Sequence, residues 1–336
     1  MTTELLHSTP HDITRAAGLL REGMLVAFPT ETVYGLGANA LDEEAVRRVY
    51  EVKGRPKDNP MIVHVHTVAQ ARELMQVVPA LFAELTNEFW PGPLTLIVRH
   101  NAAVPDVVTA GLDTVALRMP DHSITRQLLH ETAVPVAAPS ANISGRPSPT
   151  DARTVYAELQ GRIAAVLDGG DCPVGIESTV LDLTTREPVI LRPGTVTRED
   201  LEDVIQSRVH FIESYEGAPR SPGTKYRHYA PRVPVYIVPH DPDPAAMDAA
   251  LRAAVAAQSR AGWRVGLLAP ERWHDAGATH FSSLHDGRAV DYARLLYAGL
   301  RTLDDCGVDV IICPGIEAVG VGYAVMNRLL KAGEII

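Results

Sequence analysis

The chain has 336 residues, of which 31 are Lys or Arg, 41 are Asp or Glu and 46% are hydrophobic. This composition excludes a disordered chain, and the length is enough for two domains that each bury a core. No stretch approaches the roughly 18 apolar residues of a membrane-spanning helix, and the amino terminus lacks the basic and apolar parts of a signal peptide. We therefore expect a cytoplasmic protein with no membrane partner.

Charge and cysteine content narrow the function classes further. Residues 1–207 contain 17 basic and 27 acidic side chains, whereas residues 208–336 contain 14 of each. An acidic first part disfavours salt-dependent binding of nucleic acid as the main activity. The three cysteines form no Cys-x-x-Cys pair, and Cys306 and Cys313 lie in an apolar run, which predicts small buried side chains rather than redox chemistry.

Strand-like and helix-like segments alternate over the first two thirds of the chain, which predicts an α/β domain and leaves antiparallel strand pairs open. The clearest helix is predicted at 42–54, because Asp42 can cap it, acidic residues follow, and Gly54 can end it. The other predicted elements are helices at 13–21, 68–75, 80–89, 123–130 and 199–205, and strands at 24–28, 61–66, 94–98, 115–118, 134–138 and 209–212.

A change of composition marks a domain boundary. Residues 208–232 include a run rich in Pro, Gly and polar residues, which is typical of a linker. The predicted domains are therefore 1–207 and 233–336. In the second, strands at 233–238, 264–269 and 308–312 alternate with helices at 245–257 and 290–303, which predicts a small α/β domain with an open sheet.

The densest basic cluster of the acidic first part is Lys53-Gly-Arg55-Pro-Lys57. Cations at the carboxyl end of a helix offset the helix dipole, and this structural role alone could explain the cluster. Beside a Gly and a Pro, however, they can also form a rigid loop that holds a triphosphate. His64 and His66 are spaced like metal ligands on a strand, but no further ligands follow at a recognisable spacing, so we predict polar contacts rather than zinc.

Two segments that contain glycine or other small residues are candidate nucleotide sites. Gly35-Leu-Gly37 fits a relaxed dinucleotide fingerprint, but the helix that should begin at the glycines is predicted to begin only at Asp42. The loop after the strand at 134–138 contains Ser140 and Asn142 among small residues that would let a ligand approach the backbone. An ordinary turn-rich loop explains that composition nearly as well.

Five segments occur together in one order: Phe-Pro-Thr-Glu-Thr-Val-Tyr-Gly-Leu-Gly at 28–37, Lys-Gly-Arg-Pro at 53–56, Asn-Pro-Met-Ile-Val-His at 59–64, Trp-Pro-Gly-Pro-Leu-Thr at 90–95 and Ala-Pro-Ser-Ala-Asn at 138–142. Together they resemble the YrdC-type threonylcarbamoyl-AMP synthase family, and the segments 221–231 and 320–328 resemble its long, two-domain form. The resemblance implies a YrdC-like α/β domain with a mixed twisted sheet and a ligand cleft, followed by a smaller, Rossmann-like α/β domain with an open sheet.

The activity that the resemblance implies is that of a nucleotidyltransferase. It would join L-threonine, bicarbonate or carbon dioxide, and ATP into threonylcarbamoyl-AMP and release pyrophosphate. Mg²⁺ would be held mainly by ATP. A downstream threonylcarbamoyl transferase complex would then modify the adenosine next to the anticodon of tRNA, and direct contact of this chain with tRNA is left open.

The resemblance also implies site residues. Lys53 and Arg55 would be catalytic. The side chains that would bind threonine are Thr32, His64, Arg118 and Ser178. The residues that would bind ATP are Lys53, Arg55, Asn59, Thr114, Ala138, Ser140, Asn142, Ser148, Arg192, Tyr226 and Tyr229. The linker at 208–232 is expected to act as a lid, through Tyr226, His228 or Tyr229.

Two other function classes compete with this reading. A carbamoyl transferase with the same domain type would carry further zinc-binding or acylphosphatase-like segments, and the chain has neither. A non-catalytic RNA-binding module would place Lys53, Arg55 and Lys57 on phosphates. The acidic first part and the aromatic content of 5% disfavour that module, and RNA binding that weakens with salt and needs no threonine would reveal it.

Overall fold

The structure is a computed structural model that describes residues 2–212 and 229–336. It divides into two compact units. The first comprises Met1–Ser144, Pro149–Pro173 and Glu177–Lys225, and the second comprises Gly145–Ser148, Val174–Ile176 and Tyr226–Ile336. Most of the predicted linker, including 213–228, lies outside the described residues. Its beginning, His210–Phe211, is a strand of the first unit.

The first unit is built on a mixed sheet. Its strands are β1 (Glu4–Leu6), β2 (Val26–Phe28), β3 (Gly35–Asn39), β4 (Ile62–His64), β5 (Leu94–Arg99), β6 (Thr114–Arg118), β7 (Val136–Ala137), β8 (Ala165–Leu167), β9 (Thr179–Asp182), β10 (Val189–Arg192) and β11 (His210–Phe211). They are ordered β1-β8-β2-β3-β7-β4-β6-β5-β9-β10-β11. Parallel pairs such as β4/β6 alternate with antiparallel pairs such as β5/β6, so the predicted mixed sheet is confirmed.

Eight helices of this unit lie among the described residues. They are α1 (Pro10–Arg21), α2 (Glu43–Lys53), α3 (Val68–Glu73), α4 (Phe82–Phe89), α5 (Asp106–Thr109), α6 (Ser123–Thr132), α7 (Ala152–Leu159) and α8 (Arg198–Ile205). In α2, the Asp42 carboxylate accepts hydrogen bonds from the backbone N–H groups of Glu44 and Ala45. Gly54 ends the helix at φ 60°, a left-handed conformation that glycine adopts readily. This cap places Lys53 in the last turn.

The two faces of the central strands differ in chemistry. Because successive side chains of a strand point to opposite faces, Val63, Leu117 and Leu96 project into the large core of the unit. Their neighbours on the other face form a small buried apolar cluster of Ile62, Ile97, Ala116, Val180 and Leu191. His64, Thr95 and Arg118, which are described below, lie on this second face.

The second unit contains a fully parallel sheet. Its elements are β12 (Val235–Val238), α9 (Pro244–Arg260), β13 (Val265–Ala269), a 3₁₀ turn (Glu271–Trp273), β14 (His280–Ser283), α10 (Ala289–Asp305), β15 (Val310–Pro314), α11 (Val321–Ala332) and β16 (Glu334–Ile335). The strands are ordered β14-β13-β15-β12-β16, and every pair is parallel. The predicted small open-sheet domain is confirmed.

One prediction about the cysteines is wrong. Cys313 is buried in β15, but Cys306 is exposed. It follows the last residue of α10 as the C-cap, where the chain turns away from the core, so its side chain is not part of the apolar run. In a separate observation, no helix among residues 2–212 and 229–336 is long and apolar enough to cross a lipid bilayer.

Candidate active site

Arg118, the last residue of β6, is the centre of a buried polar cluster. Its Nη1 donates a hydrogen bond to Thr32 Oγ1 at 3.0 Å, and its Nε donates to the Gly92 carbonyl at 3.3 Å. Its Nη2 lies 2.7 Å from Glu31 Oε1, and both side chains are at least nine-tenths buried. The guanidinium is therefore fixed in position by two neighbouring loops and one carboxylate.

The loop between β2 and β3 is organised by a hydroxyl group. Thr30 Oγ1 donates to the Val33 carbonyl at 2.7 Å and accepts hydrogen bonds from the backbone N–H groups of Thr32 and Val33. It also lies 2.8 Å from Thr32 Oγ1. Because Thr30 donates to Val33, the Thr32 hydroxyl donates to Thr30 and can accept from Arg118. This relay orients the Thr32 side chain that the sequence predicts as a threonine contact.

Glu31 is a member of the cluster that sequence reasoning missed. Among the described residues, none donates a hydrogen bond to either carboxylate oxygen, although both oxygens are buried. The contact with Arg118 Nη2 is an ion pair without hydrogen-bond geometry. A buried carboxylate without donors is costly. It lies between two threonines of the first motif, and no periodic pattern there predicts its burial.

His64 lies beside Arg118 on the same face. The two residues are direct partners in the parallel pair β4/β6. Burial, and secondarily the charge of Arg118, lower the pKa of the His64 imidazole to about 3, so the ring is neutral at pH 7. Among the described residues, its Nδ1 has no hydrogen-bond partner. The ring meets Phe28 edge to face, with 6.0 Å between centroids.

A second polar group continues this face across β5, β9 and β10. Ser178 Oγ lies 2.7 Å from Thr95 Oγ1 and accepts a hydrogen bond from Arg192 Nη2 at 3.1 Å. Arg192 Nε also donates to the Ser178 carbonyl at 3.1 Å. Strand register connects the two groups, because Leu96 pairs with Leu117, which places Thr95 opposite Arg118. His64, Arg118, Thr95 and Arg192 thus follow one row across the sheet.

Lys53 links α2 to the loop after β7. Its Nζ donates hydrogen bonds to the carbonyls of Ser140 and Asn142, and its own carbonyl accepts from the Ser144 N–H at 2.9 Å. Ser140 Oγ donates to Asn142 Oδ1 at 2.5 Å. The backbone N–H of residue 141 donates to the Tyr34 carbonyl at 2.8 Å, so this loop lies against the segment that carries Thr32.

Arg55 is also turned inward. Its Nε donates to the Asn59 carbonyl at 3.0 Å, and its Nη2 donates to the Pro60 carbonyl at 2.7 Å. Among the described residues, no hydrogen-bond partner reaches Asn59 Oδ1, which is buried. Lys53 and Arg55 are therefore buried, with N–H groups that donate to backbone carbonyls, and only Lys57 of the three is exposed.

The remaining predicted residues are placed as follows. Thr114 begins β6 and is buried, and the Ala138 N–H donates to the Ile62 carbonyl at 2.9 Å. Ser148 and Tyr229 belong to the second unit. Tyr229 is buried there against Tyr297, with 5.3 Å between ring centroids. Tyr226, with His228, lies outside the described residues, as does most of the predicted lid.

In the part of the chain that the structure describes, no three His, Cys, Asp or Glu side chains group as a metal site would require. His66 Nδ1 lies 2.9 Å from Gln70 Oε1, and the side chain of His66 is thus used within the fold. A divalent ion accompanying a triphosphate would take its oxygen ligands from that triphosphate.

Comparisons with known proteins identify the family. Residues 18–194 match the Sua5/YciO/YrdC family model, described as "Telomere recombination". Residues 196–333 match the model of the threonylcarbamoyl-AMP synthase C-terminal domain. The chain belongs to the threonylcarbamoyl-AMP synthases of the Sua5/YciO/YrdC family. The two matches together cover both units of this family member.

Individual relatives agree with this assignment. The threonylcarbamoyl-AMP synthase of Pyrococcus abyssi is 47% identical over 94% of this chain and 92% of its own length. The Bacillus subtilis synthase is 44% identical over 99% of this chain and 95% of its own length. The crystal structure of P. abyssi Sua5 complexed with L-threonine superposes with a TM-score of 0.94 at 43% identity, covering 100% of this chain and 99% of that one.

Proposed function

We propose that the chain forms threonylcarbamoyl-AMP and pyrophosphate from L-threonine, bicarbonate or carbon dioxide, and ATP, as a nucleotidyltransferase. The observation that carries the proposal is a set of three buried groups with unused hydrogen-bonding atoms on one sheet face: Arg118 Nη2, the Glu31 carboxylate and His64 Nδ1. A cationic donor, an anionic acceptor and a neutral imidazole match the carboxylate, amine and hydroxyl of a hydroxy amino acid. Family membership supports the same substrate.

In this proposal Arg118 binds the threonine carboxylate. One N–H of Nη1 is taken by Thr32, which leaves the other N–H of Nη1 and both of Nη2 for two carboxylate oxygens. Thr32 positions the guanidinium. His64 and Ser178 contact the threonine side chain. Because the His64 ring is neutral, it can hydrogen-bond the hydroxyl group without competing for the carboxylate.

Glu31 is proposed to accept a hydrogen bond from the threonine amino group. That amine must be unprotonated to add to carbon dioxide, and a buried carboxylate without other hydrogen-bond donors is suited to hold the amine in place while it releases a proton to solvent. The amine nitrogen then forms a bond to the carbon of carbon dioxide while one C–O π pair moves onto oxygen, and the nitrogen releases its second proton to solvent. One oxygen of the resulting carbamate attacks the α-phosphorus of ATP. The bond from the α-phosphorus to the bridging oxygen breaks, and pyrophosphate leaves.

The nucleotide is proposed to lie against the loops that Lys53 and Arg55 organise, with the two residues in the catalytic role. The further residues proposed for ATP are Asn59, Thr114, Ala138, Ser140, Asn142 and Arg192. The proposal for Ser148, Tyr226 and Tyr229 rests on the resemblance alone. Mg²⁺ is assigned to the triphosphate, where it would offset negative charge. Transfer to tRNA by a partner complex is part of the proposal.

Pyrophosphate release from ATP and bicarbonate tests the function. We expect release with threonine, less with serine, and none with valine or without an amino acid. Lys53→Ala should abolish it, and Lys57→Ala, a change of the exposed lysine in the same segment, should not. Circular dichroism checks that each variant is folded. Release that is indifferent to threonine would refute the substrate, and no release from the folded wild type would refute the synthase proposal.

A further inference from the structure

We infer that the second unit contains a nucleotide-binding crevice at the carboxyl ends of β12, β13 and β15. A cavity of about 660 Å³ opens at this edge of the parallel sheet. Each of the three strands supplies lining residues from the loop that follows it: His240 and Asp241 after β12, Pro270 and Arg272 after β13, and Gly315 and Glu317 after β15.

The topology of the sheet explains why a crevice forms there. Leu267 packs with α9 residues such as Leu251. A Cβ on Gly299 of α10 would meet Leu268 Cδ1 at 2.3 Å, so α10 covers the opposite face of β13. Helix α11 packs against α10 and therefore shares its face.

The adjacent strands β12 and β15 thus lead into helices on opposite faces, α9 and α11. Their connections separate at the carboxyl edge, and in open α/β sheets this is the position at which ligands bind. Gly315 is held close to the end of β12, because its N–H donates to the Val238 carbonyl at 2.7 Å. The floor of the crevice is therefore fixed by backbone contacts.

Arg272 is a preorganised anion-binding group in this crevice. Its guanidinium carbon lies 4.0 Å from the centroid of the Trp273 ring, and stacking of this kind holds the guanidinium plane. Trp273 is itself anchored, since its Nε1 donates to Asp248 Oδ1 at 2.9 Å. Within residues 2–212 and 229–336, nothing forms a hydrogen bond or ion pair with the Arg272 guanidinium, so its N–H groups are available to a phosphate.

Carboxylates on the other two loops indicate which groups the ligand carries besides phosphate. Asp241 and Glu317 are exposed at the same cavity, and carboxylates accept hydrogen bonds from sugar hydroxyl groups. The amino-terminal ends of α9 and α10 also reach the cavity through Pro244 and Ala289, which favours negative charge. A cavity of this volume suits a ligand larger than free phosphate. Phosphate, hydroxyl groups and size together specify a nucleoside phosphate.

Equilibrium dialysis of the full chain against ATP or AMP, without threonine and bicarbonate, tests the crevice. The wild type should bind two nucleotides per chain. Arg272→Ala should bind one, with at least ten-fold weaker affinity at the lost site. Arg260→Ala, which removes an exposed arginine in the last turn of α9 outside the cavity lining, should still bind two.

A Lys53→Ala variant separates this inference from the proposed function. It should retain one nucleotide, which the Lys53→Ala, Arg272→Ala double variant loses. Equal binding by Arg272→Ala and the wild type, or no binding of either probe to Lys53→Ala, would overturn the crevice. A wild type that binds one nucleotide, lost with Arg272→Ala and kept with Lys53→Ala, would instead contradict the nucleotide role of Lys53 and support the crevice.

Discussion

The buried side chains of Glu31 and Arg118 have hydrogen-bonding atoms without protein partners among the described residues, and these atoms indicate which groups a substrate must carry. Each is at least nine-tenths buried. Their charges offset one another, yet the Glu31 oxygens accept no hydrogen bond from the described residues. Burial of such a carboxylate disfavours the folded state unless a ligand supplies donors. The pair therefore serves to bind a ligand rather than to stabilise the folded state.

Replacing Glu31 with Gln tests this assignment. The variant keeps the shape of the side chain but removes the charge that would hold the amine, so we expect the KM for threonine to rise about ten-fold, equivalent to about 1.4 kcal/mol. The KM for ATP should not change. Steady-state pyrophosphate release measures both constants, with the exposed Glu43→Gln as the matched control. Equal increases in the two KM values would show that Glu31 only supports the fold.

The buried imidazole of His64 should make stability dependent on pH. Above about pH 6.5 the ring is neutral in both the folded and the unfolded chain. Between about 6.5 and about 3 the unfolded chain binds a proton that the folded chain does not, because burial and Arg118 lower the folded pKa. The free energy of unfolding should therefore fall by about 1.4 kcal/mol per pH unit from this residue as the pH decreases.

Urea unfolding at pH 7 and pH 5 measures this effect. The wild type should lose about 2 kcal/mol more than His64→Gln over that interval, since the amide does not titrate. His11→Gln, which changes a histidine that is 92% exposed, should follow the wild type. Identical losses in the wild type and His64→Gln would mean that the folded His64 ring titrates near its ordinary pKa.

At the scale of elements, α2 is the part of the site that the sequence predicts best. Asp42, the acidic first turn and Gly54 are local signals, and the structure has the helix between them. Other elements depend more on distant segments. Gly35–Asn39 is a strand rich in small residues, stabilised by two neighbouring strands rather than by propensity. The three-residue strand β1 forms because β8 pairs with it from far along the chain.

The site residues also divide into features that a local motif predicts and features that depend on distant segments of the chain. Lys53, Ser140 and Asn142 belong to recognisable motifs, but their mutual hydrogen bonds join segments almost 90 residues apart. No pattern within either motif indicates that the lysine faces inward to satisfy carbonyls. Glu31 was missed because one carboxylate between two threonines carries no periodic signal, and its burial depends on Arg118 from β6.

The cap of α2 can be removed without touching the nucleotide loops. We expect Asp42→Ala to lower the free energy of unfolding by about 1 kcal/mol, because two backbone N–H groups lose their acceptor. Asp42→Asn should retain most of that energy. Urea unfolding measures both variants, and the KM for ATP should remain that of the wild type. A large increase in that KM would show that the start of α2, and not only its last turn, controls Lys53.

At the scale of the whole molecule, each unit has its own buried apolar core. The large core of the first unit and the cluster around Leu267 in the second contain no residue in common. The proposed threonine site lies on one face of the first sheet, and the proposed crevice lies at the carboxyl edge of the second sheet. The fold therefore allows the two sites to be altered separately by mutation.

A cavity in the second core tests this separation. Leu267 is fully buried, and Leu267→Ala should destabilise the second unit by roughly 3 kcal/mol. Hydrogen exchange followed by mass spectrometry should show faster exchange in peptides from β12, β13 and β15 and unchanged exchange in β5 and β6. Leu330→Ala, at an exposed position on α11, is the control. Equal acceleration in both units would show that they open together.

The reactivity of the three cysteines with a thiol reagent would report the opening of each unit. Cys306 is exposed, whereas Cys172 in the first unit and Cys313 in the second are buried. Burial raises the pKa of the Cys172 thiol to about 12 and raises that of Cys313 further, so neither forms thiolate readily in the native fold. A thiol reagent should therefore modify Cys306 at once, and each buried cysteine only as its own unit opens. Each unit therefore contains one buried thiol whose alkylation rate measures how often that unit opens. Peptide mapping of the modified thiols would give both rates from a single sample.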